Sequence, residues 1–565
     1  MKTIRNLFSL LLALALMLSL AVPAMADETT YTISINGEKS GHTYEAYQLF
    51  SGSLDTTGVI LSNITWGTGI NGDAFLADLK ASNDFPGGDE VANVFSACAT
   101  AHDVATVLAQ YTDGDKFVDK VAKLAGKHLT NATGNFTASG TSYTISGLPA
   151  GYYLVKDVES TTKLQDDFYT KFLLEVAGNV EVTVKGDVPT VEKKIVEGNS
   201  RVDETSTSIG ETIYFELTAT LPSNFEDYDS YFFTFTDTMS KGLDFIKIED
   251  VFVQYASSTA TIPANFVDFD LTTEGVQDKD QIKWTAAEDD GKSFQVKVGN
   301  IRAEGFPTLI AENKIVVRYS AKLNNDAVIA ADGNPNEVKL NYSNNPHSDS
   351  EGTTGPDEVV VFTFGVDVDK HDKADSTQKL TGAEFVLYRR EVYKVDNVEK
   401  LKLHFVVAEN GKFKEWLTVD GIAPGTTTAQ TWKNIVDKLT AEQMQKITMT
   451  TDANGEIKVA GLGIHTYRLL ETKAPDGYNL PQDPFQITMT PTQDAEGNYT
   501  MSYSYENGNA VVPEDGFAVA SVANGKGNTL PSTGGMGTTM FYVIGGLMVA
   551  GAAVLLVTKK RMSEV

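Results

Sequence analysis

The chain has few of the residues on which several protein classes depend. It contains one cysteine and seven histidines among 565 residues. One cysteine excludes a scaffold built from disulfides and any zinc site that needs several thiolates. The histidines are scattered, and neither an HExxH nor a GxSxG motif is present, which removes the common signatures of hydrolases. We therefore expect no metal and no cofactor.

Basic residues are also scarce. The chain has 46 Lys and Arg against 75 Asp and Glu, which gives a formal net charge of −29. A nucleic-acid-binding protein would show a basic footprint, so this class is excluded. The hydrophobic content of 42% is typical of a globular chain, and at ~150 residues per domain the length predicts three or four domains.

The first 26 residues have the three parts of a secretory signal peptide. Lys2 and Arg5 form a charged start, and an apolar run extends from Leu7 to Val22. The small residues of Ala24-Met25-Ala26 then supply a cleavage site. The mature chain is expected to begin at Asp27, directly after Ala26.

The C-terminal end has an uncharged segment of its own. Residues 540–558 contain no charged side chain and are long enough to cross a bilayer, and Lys559, Lys560 and Arg561 follow at once. Upstream lies the pentapeptide Leu530-Pro531-Ser532-Thr533-Gly534. This order of motif, apolar span and basic tail resembles the cell-wall sorting signal of Gram-positive surface proteins. The resemblance implies that a sortase cleaves between Thr533 and Gly534, transfers the Thr533 carbonyl to an amine, and leaves the chain on peptidoglycan, with membrane contact only before sorting.

Between the two ends, the pattern of strands and turns indicates a mainly β fold. The first part mixes strands with two Ala-rich segments of helical spacing, Asp89–Gln110 and Asp115–Leu129, and is predicted to be α+β. The next two parts read as β-sandwiches in tandem, of immunoglobulin-like type, with a helical insert at Thr428–Ile447 in the second. The expected limits are 1–26 for the signal peptide, 27–187, 188–357 and 358–528 for the three domains, and 529–565 for the sorting signal.

Three polar side chains of the middle domain fall on apolar faces of predicted strands, because side chains alternate with period two. Lys193 shares a face with Val191 and Ile195, Asp237 with Phe233 and Phe235, and Asn336 with Val338 and Leu340. The neighbouring Lys194 and Asn334 remain alternatives.

The third domain shows the same combination of residue types. Lys370 shares a face with Val366 and Val368, Glu471 with Tyr467 and Leu469, and Asn524 with Ala520 and Val522. A single such residue is commonly a strand-end charge that reaches water, but two complete sets of lysine, acid and asparagine are harder to explain in that way.

Such a set permits an intramolecular amide bond. Burial lowers the pKa of a lysine and raises that of a carboxylic acid. The neutral amine can then attack the asparagine carboxamide while the protonated acid polarises the carbonyl and transfers protons. Contact between the groups supplies a large effective molarity, and ammonia leaves.

Two segments of the third domain carry a specific resemblance. Gly463–Tyr478 looks like the strand with the Tyr-x-Leu-x-Glu-Thr-x-Ala-Pro-x-Gly-Tyr pattern of collagen-adhesin B-type domains, and Leu380–Leu387 looks like their second strand. The resemblance implies a Lys370–Asn524 bond promoted by Glu471.

The middle domain resembles the isopeptide-forming second domain of Gram-positive backbone pilins. The resemblance rests on Phe235–Leu243 and on Tyr319–Asn336. It implies a Lys193–Asn336 bond promoted by Asp237.

The whole mature chain is similar in plan to these backbone pilins, including Gly41–Gly52 near its start. In that family a lysine at the end of the first domain joins the threonine of the next subunit, after a motif that commonly ends Tyr-Pro-Lys. Here Thr183 and Val184 replace Tyr-Pro, so Lys185 is the candidate that the resemblance implies for a link to Thr533. The first domain offers no third complete set, since Lys156 and Asp157 have no asparagine with them.

The sequence thus predicts a structural, non-enzymatic subunit of a covalent, wall-anchored pilus shaft that supports adhesion. Its expected partners are sortase, copies of itself, peptidoglycan, and host surface or matrix proteins. One rival is a wall-anchored adhesin or ancillary pilin that does not polymerise. The other is a wall-anchored enzyme, disfavoured because the inward acids already have a cross-linking role and no pair of nucleophile and base stands out. Cys98, on a predicted Ala-rich helix, is expected to be a small buried hydrophobe.

Overall fold

The structure is a computed structural model of the chain. It describes residues 29–37, 39–55, 61–87, 93–111, 116–160, 166–184, 186–255, 261–262, 282–286, 292–303, 308–330, 333–346, 348–425, 427–481, 483–493, 499–506, 509–510, 516–526, 541–552 and 559.

The N-terminal part combines strands and helices, as its sequence pattern predicts. Its strands are β1 Tyr31–Asn36, β2 Tyr44–Leu54, β3 Leu61–Trp66, β4 Asn135–Ser139, β5 Ser142–Leu148, β6 Gly151–Asp157, β7 Lys171–Val176 and β8 Val180–Thr183. Its helices are α1 Gly72–Ala81, α2 Ala101–Leu108 and α3 Lys116–Ala125. The strands form two sheets, in the orders β4-β5-β1-β8 and β3-β2-β6-β7.

The helices of this part are shorter than the Ala-rich segments that predict them. Helix α2 begins after Thr100, whose side chain caps the helix together with Asp103 in a reciprocal capping box. Helix α1 was not among the predicted elements, and Asn71 caps it. The apolar faces of the helices pack on the second sheet around Phe75, Val104 and other buried side chains. Cys98 belongs to this core, which confirms its predicted burial, but it precedes α2 and does not lie on a helix as predicted.

The middle part is a two-layered β structure. Its strands are β9 Thr190–Glu197, β10 Ser200–Val202, β11 Glu204–Ser206, β12 Thr212–Thr220, β13 Phe233–Met239, β14 Leu243–Gln254, β15 Thr261–Ile262, β16 Ile282–Ala286, β17 Ser293–Val298, β18 Lys314–Leu323, β19 Asn334–Ser343, β20 Glu351–Thr353 and β21 Asp357–Phe362, and Phe225–Asp227 is a short 3₁₀ helix. One layer has the order β10-β9-β12-β18-β14-β15. The other has the order β11-β21-β19-β13-β17-β16, with β20 paired to β19.

The C-terminal part is a single continuous sheet that folds over on itself. Its strands are β22 Phe364–Asp372, β23 Glu384–Val395, β24 Val398–Glu409, β25 Lys412–Ile422, β26 Met449–Thr450, β27 Glu456–Leu462, β28 Thr466–Lys473, β29 Phe485–Gln493, β30 Tyr499–Glu506, β31 Asn509–Ala510 and β32 Phe517–Asn524. The order is β30-β29-β28-β23-β24-β25-β27-β22-β32-β31, with β26 beside β23. The predicted helical insert is two helices, α4 Thr428–Val436 and α5 Ala441–Ile447.

The border between the last two parts differs from the one expected at residue 358. Strand β21 pairs with β19 and β11, so Asp357–Phe362 completes a sheet of the middle part. The alternating apolar side chains of this strand are compatible with pairing in either sheet. The sequence pattern alone therefore places the border too early. The next strand, β22, begins at Phe364 and belongs to the sheet of the C-terminal part.

The middle and C-terminal parts share one hydrophobic core. A single cluster of contacting buried side chains extends from Ile195 in the middle part to Val522 in the C-terminal part. Main-chain contacts reinforce this junction, because the Ile209 amide donates to the Gly461 carbonyl at 3.0 Å. Gly461 has a φ of +85°, and a Cβ there would lie 2.3 Å from the side chain of Ile209. The junction therefore requires glycine at this position.

Residues 541–552, within the predicted membrane segment, are helical. Among the residues that the structure describes, no helix combines the length and the apolar character needed to cross a bilayer.

Candidate functional site

The three inward polar residues of the middle part meet between its two sheets. Lys193 projects from β9 in one layer, and Asp237 and Asn336 project from the adjacent strands β13 and β19 in the other. All three residues have no solvent exposure. The alternation of β9 explains this placement, because the same face also buries Ile195 against the core.

The Lys193 amine touches both of its predicted partners. Its Nζ lies 2.5 Å from Asp237 Oδ2 and donates a hydrogen bond to Asn336 Oδ1. The amine is thus already in contact with the carboxamide that it would attack. This arrangement supplies the proximity on which an amide exchange without an external catalyst depends.

Burial sets the charge state of this pair. It lowers the pKa of Lys193 to about 8, although the negative charge of Asp237 opposes the shift. Burial also raises the pKa of Asp237, against the opposing effect of Lys193. Both shifts favour a neutral amine beside a neutral acid, the forms that nucleophilic attack and proton donation require.

The two alternative residues lie elsewhere. Lys194 faces away from the core and pairs with Asp203 at 2.5 Å. Asn334 is buried, but its side-chain amide is bound to main-chain groups of Val328 and Val361. Neither residue contacts the Lys193 site.

A fourth residue of this site escaped sequence reasoning. The Tyr319 hydroxyl, fully buried on β18, donates to Asp237 Oδ2 at 3.0 Å and accepts from Asn336 Nδ2 at 2.7 Å. Its sequence signal was the apolar face that it shares with Val317 and Ala321. That signal alone suggests an ordinary core tyrosine.

The second set assembles in the C-terminal part. Lys370 lies on β22 and Asn524 on β32, two parallel neighbouring strands in which Lys370 pairs with Val522. Glu471 lies on β28, which is distant in sheet order and reaches the pair because the sheet folds over. The three residues are at most 4% exposed.

The contacts of this set differ from those of the first. Lys370 Nζ donates to Asn524 Oδ1 and lies 3.1 Å from Glu471 Oε2. Asn524 Nδ2 donates directly to Glu471 Oε1 at 2.6 Å. Burial lowers the pKa of Lys370 and raises that of Glu471, so this set also favours the neutral forms.

The N-terminal part holds a buried ionic cluster of another kind. His42 Nδ1 lies 2.9 Å from Asp157 Oδ2, and His42 Nε2 lies 2.9 Å from Asp167 Oδ1. Asp157 thus has a histidine as its partner. The cluster also borders the middle part, because the Tyr342 hydroxyl donates to the Asp167 carbonyl at 2.9 Å.

This cluster predicts a pH-dependent stability. Burial opposes the cation of His42, but hydrogen bonds and charges from the two aspartates outweigh it and raise its pKa to about 9. The stabilisation is therefore complete below about pH 6.5 and is lost as pH rises through about 9. We expect His42→Ala to lower the free energy of unfolding by about 3–5 kcal/mol near neutral pH. Urea unfolding of the mature chain at several pH values measures this.

The contrast between wild type and variant checks the cause. The difference in unfolding free energy should shrink at alkaline pH, where wild-type His42 loses its charge. His102→Ala is the control, since His102 takes no part in this cluster. A His42→Ala effect that is constant across the pH range would contradict the charged pair.

Several predicted site residues lie outside the described part of the chain. They are Ala26 and Asp27 at the signal cleavage site, Lys185, and Leu530, Pro531, Ser532, Thr533 and Gly534 of the sorting motif. In the part that the structure describes, no group of three or more potential ligands could hold a metal ion.

Comparison with known protein families identifies the kind of protein. Residues 209–346 match the Cna-B-like domain of Gram-positive pilin backbone subunit 2, and residues 523–564 match the LPXTG cell wall anchor motif. The chain thus carries the domains of a Gram-positive backbone pilin together with a cell wall anchor. Residues 365–503 of this pilin also match the SpaA prealbumin-like fold domain.

Individual relatives include proteins of Streptococcus pyogenes and Corynebacterium diphtheriae. The chain is 23% identical over 567 residues to the trypsin-resistant surface T6 protein of Streptococcus pyogenes serotype M6, with 96% of each chain covered. Among solved structures, the T6 backbone pilin of that organism is 16% identical with a TM-score of 0.48, and covers 89% of this chain and 100% of its own. The full-length major pilin SpaD of Corynebacterium diphtheriae is 18% identical with a TM-score of 0.46, and covers 89% and 99%.

These matches bear out several predictions. The mainly β fold, the resemblance to backbone pilins, and the location on the cell wall through an LPXTG anchor are confirmed. The anchor motif also supports processing by sortase and attachment to the wall. The protein is thus a structural subunit of a surface pilus.

Proposed function

We propose that this pilin forms a covalent pilus shaft whose subunits are each stiffened by two autocatalytic amide bonds, Lys193–Asn336 and Lys370–Asn524. One observation carries the proposal. In both sets a buried amine touches the oxygen of a buried carboxamide, with a buried acid within 3.1 Å of the amine. Asp237 and Glu471 are the acids that promote the two bonds.

Each proposed bond forms by the same exchange. The neutral lysine amine attacks the asparagine Cγ, the bond from Cγ to Nδ2 breaks, and ammonia leaves. The protonated acid gives a proton to the leaving nitrogen, and its carboxylate then takes one from the attacking amine, so that the acid ends unchanged. No cofactor is consumed, and the reaction needs no external enzyme.

Between subunits, we propose that sortase joins the Thr533 carbonyl to the Lys185 amine of the next copy. The proposed domains are 27–187, 188–362 and 363–528, the second limit following the end of β21. Within this proposal the chain is not an enzyme in the ordinary sense, because each acid acts once on its own polypeptide. Host surface or matrix proteins are its proposed external partners.

The test of polymerisation is a gel. Wall material from cells that make the wild-type chain and its sortase is released by a wall hydrolase, boiled in detergent and probed for this chain. We expect a ladder of covalent multimers, and we expect Lys185→Arg to abolish it because a guanidinium is always protonated and is no acyl acceptor. Thr533→Ala should remove both the ladder and wall attachment.

Lys39→Ala is the matched control, since Lys39 is an exposed lysine of the same domain. It should form the ladder as the wild type does. A wild-type chain that gives only a single band would favour a non-polymerising adhesin, and a ladder in Lys185→Arg would move the link to another lysine.

A further inference from the structure

The two proposed bond-forming sites differ in how the acid contacts the side-chain nitrogen of the asparagine. In the C-terminal site, Asn524 Nδ2 lies directly on Glu471 at 2.6 Å. In the middle site the Asn336 Nδ2 hydrogen bond goes instead to the Tyr319 hydroxyl, at 2.7 Å, and the hydroxyl in turn contacts Asp237 Oδ2 at 3.0 Å. In the middle site, the leaving nitrogen is therefore connected to the acid by hydrogen bonds through the tyrosine hydroxyl.

Tyr319 is held in place from both sides. Its ring stacks on Phe215 with a centroid distance of 5.0 Å, and Phe294 packs edge-on against it at 4.7 Å. The residue is 0% exposed. Packing therefore fixes the ring and leaves only the hydroxyl proton free to reorient, which suits a group that passes a proton on.

We propose that Tyr319 is a catalytic residue of the Lys193–Asn336 bond, and that it relays the proton from Asp237 to the departing ammonia. This inference rests on the proposed amide bond in the middle domain and adds a residue that the Lys–acid–Asn scheme does not contain. The geometry also explains a difference in residue type: the shorter acid, aspartate, has the relay, and the longer acid, glutamate, does without one.

The relay balances atom by atom. The Lys193 amine adds to Asn336 Cγ, while protonated Asp237 gives its proton to the Tyr319 oxygen and the hydroxyl gives its own proton to Nδ2. The Asp237 carboxylate left by this transfer then takes one proton from the Lys193 nitrogen, which lies 2.5 Å from Asp237 Oδ2. The bond from Cγ to Nδ2 then breaks and ammonia leaves. Asp237 and Tyr319 both return to their starting forms.

The test is Tyr319→Phe in the mature chain, with bond formation followed by mass spectrometry at set times after synthesis. We expect formation of the Lys193–Asn336 bond to slow by about 10²–10⁴-fold, the usual contribution of a positioned proton donor. The Lys370–Asn524 bond of the same molecule should form at the wild-type rate. This internal reference shows that the variant chain has folded.

Two further variants separate the relay from packing. Phe215→Leu disturbs the ring stack but keeps the hydroxyl, and should form the bond far faster than Tyr319→Phe. Asp237→Glu combined with Tyr319→Phe lengthens the acid by one methylene, as in the C-terminal site, and should recover much of the lost rate. A merely structural role for Tyr319 predicts no such recovery.

The outcomes are distinct. A Tyr319→Phe chain that loses ammonia from the middle domain at the wild-type rate would overturn the relay. So would a double variant no faster than Tyr319→Phe alone, or a Phe215→Leu chain equally slow. A wild-type chain that forms no middle bond at all would instead overturn the proposed function on which the relay rests.

Discussion

Replacing Asp237 with alanine is expected to leave the mature chain one ammonia heavier, relative to its own sequence mass, than the wild type. The wild-type chain should lose two ammonia molecules, one for each buried set. Among the residues that the structure describes, Asp237 is the carboxylic acid that contacts Lys193 Nζ, so its removal takes away the group that exchanges protons with the attacking amine. Loss of such a group slows a reaction by about 10²–10⁴-fold. Intact-mass measurement reports the result directly.

Two controls define this result. Asp237→Asn preserves the side-chain volume but removes the acid, and should fail in the same way as alanine. Glu337→Ala removes a partly exposed carboxylate next to Asn336 and should leave both bonds intact. Peptide mapping should find residues 193 and 336 joined in the wild type. A wild-type mass equal to the sequence mass would refute the chemistry.

Glu471→Ala should produce a large loss of stability. The Lys370–Asn524 bond would join residues 154 positions apart. Closing a loop of that length removes unfolded-state entropy worth about 5 kcal/mol in the chain-entropy treatment of cross-links. For a domain of this size that difference lowers Tm by about 10–20 °C. Calorimetry of the mature chain measures the transition of the C-terminal domain.

Asn524→Ala distinguishes the effect of losing the amide bond from the effect of losing the buried acid. It keeps Glu471 but removes the carboxamide, so it should lower Tm by a similar amount. Glu456→Ala, at an exposed position of β27, is the matched control and should leave Tm unchanged. Dithiothreitol should have no effect on any variant, because Cys98 has no second cysteine with which to pair. Equal melting temperatures for cross-linked and uncross-linked chains would contradict the stabilising role.

The sequence predicts the six buried residues well and their environment less well. Alternation places Lys193 and Lys370 on apolar faces because side chains of a strand alternate strictly between its two sides. It says nothing about which strands face one another across the core. Tyr319 illustrates this limit: its role depends on β18 lying opposite β13 and β19, and its own strand shows only an apolar face.

Other features depend on long-range packing in the same way. His42 and Asp167 are far apart in sequence, and nothing local marks them as partners. Likewise, the alternating pattern of β21 does not indicate which of two sheets the strand joins, and the tertiary structure places it in the middle domain. The local sequence pattern therefore predicts which way a side chain points, whereas the tertiary structure determines which residues it contacts.

The two proposed bonds differ in what they join. Lys193–Asn336 connects the two layers of the middle domain, whereas Lys370–Asn524 connects neighbouring parallel strands near the start and end of the C-terminal domain. With both bonds formed, a pull along the fibre passes through residues 186–193, 336–370 and 524–533. Residues 194–335 and 371–523 would lie inside closed loops, outside this covalent path.

The loops that the two proposed bonds would close affect how the surface of the fibre can change. Helices α4 and α5 lie entirely inside the second loop. Insertions and substitutions at such positions alter the outer surface without lengthening the path that carries tension. A pilus built in this way can vary its outer surface while its tensile strength stays the same.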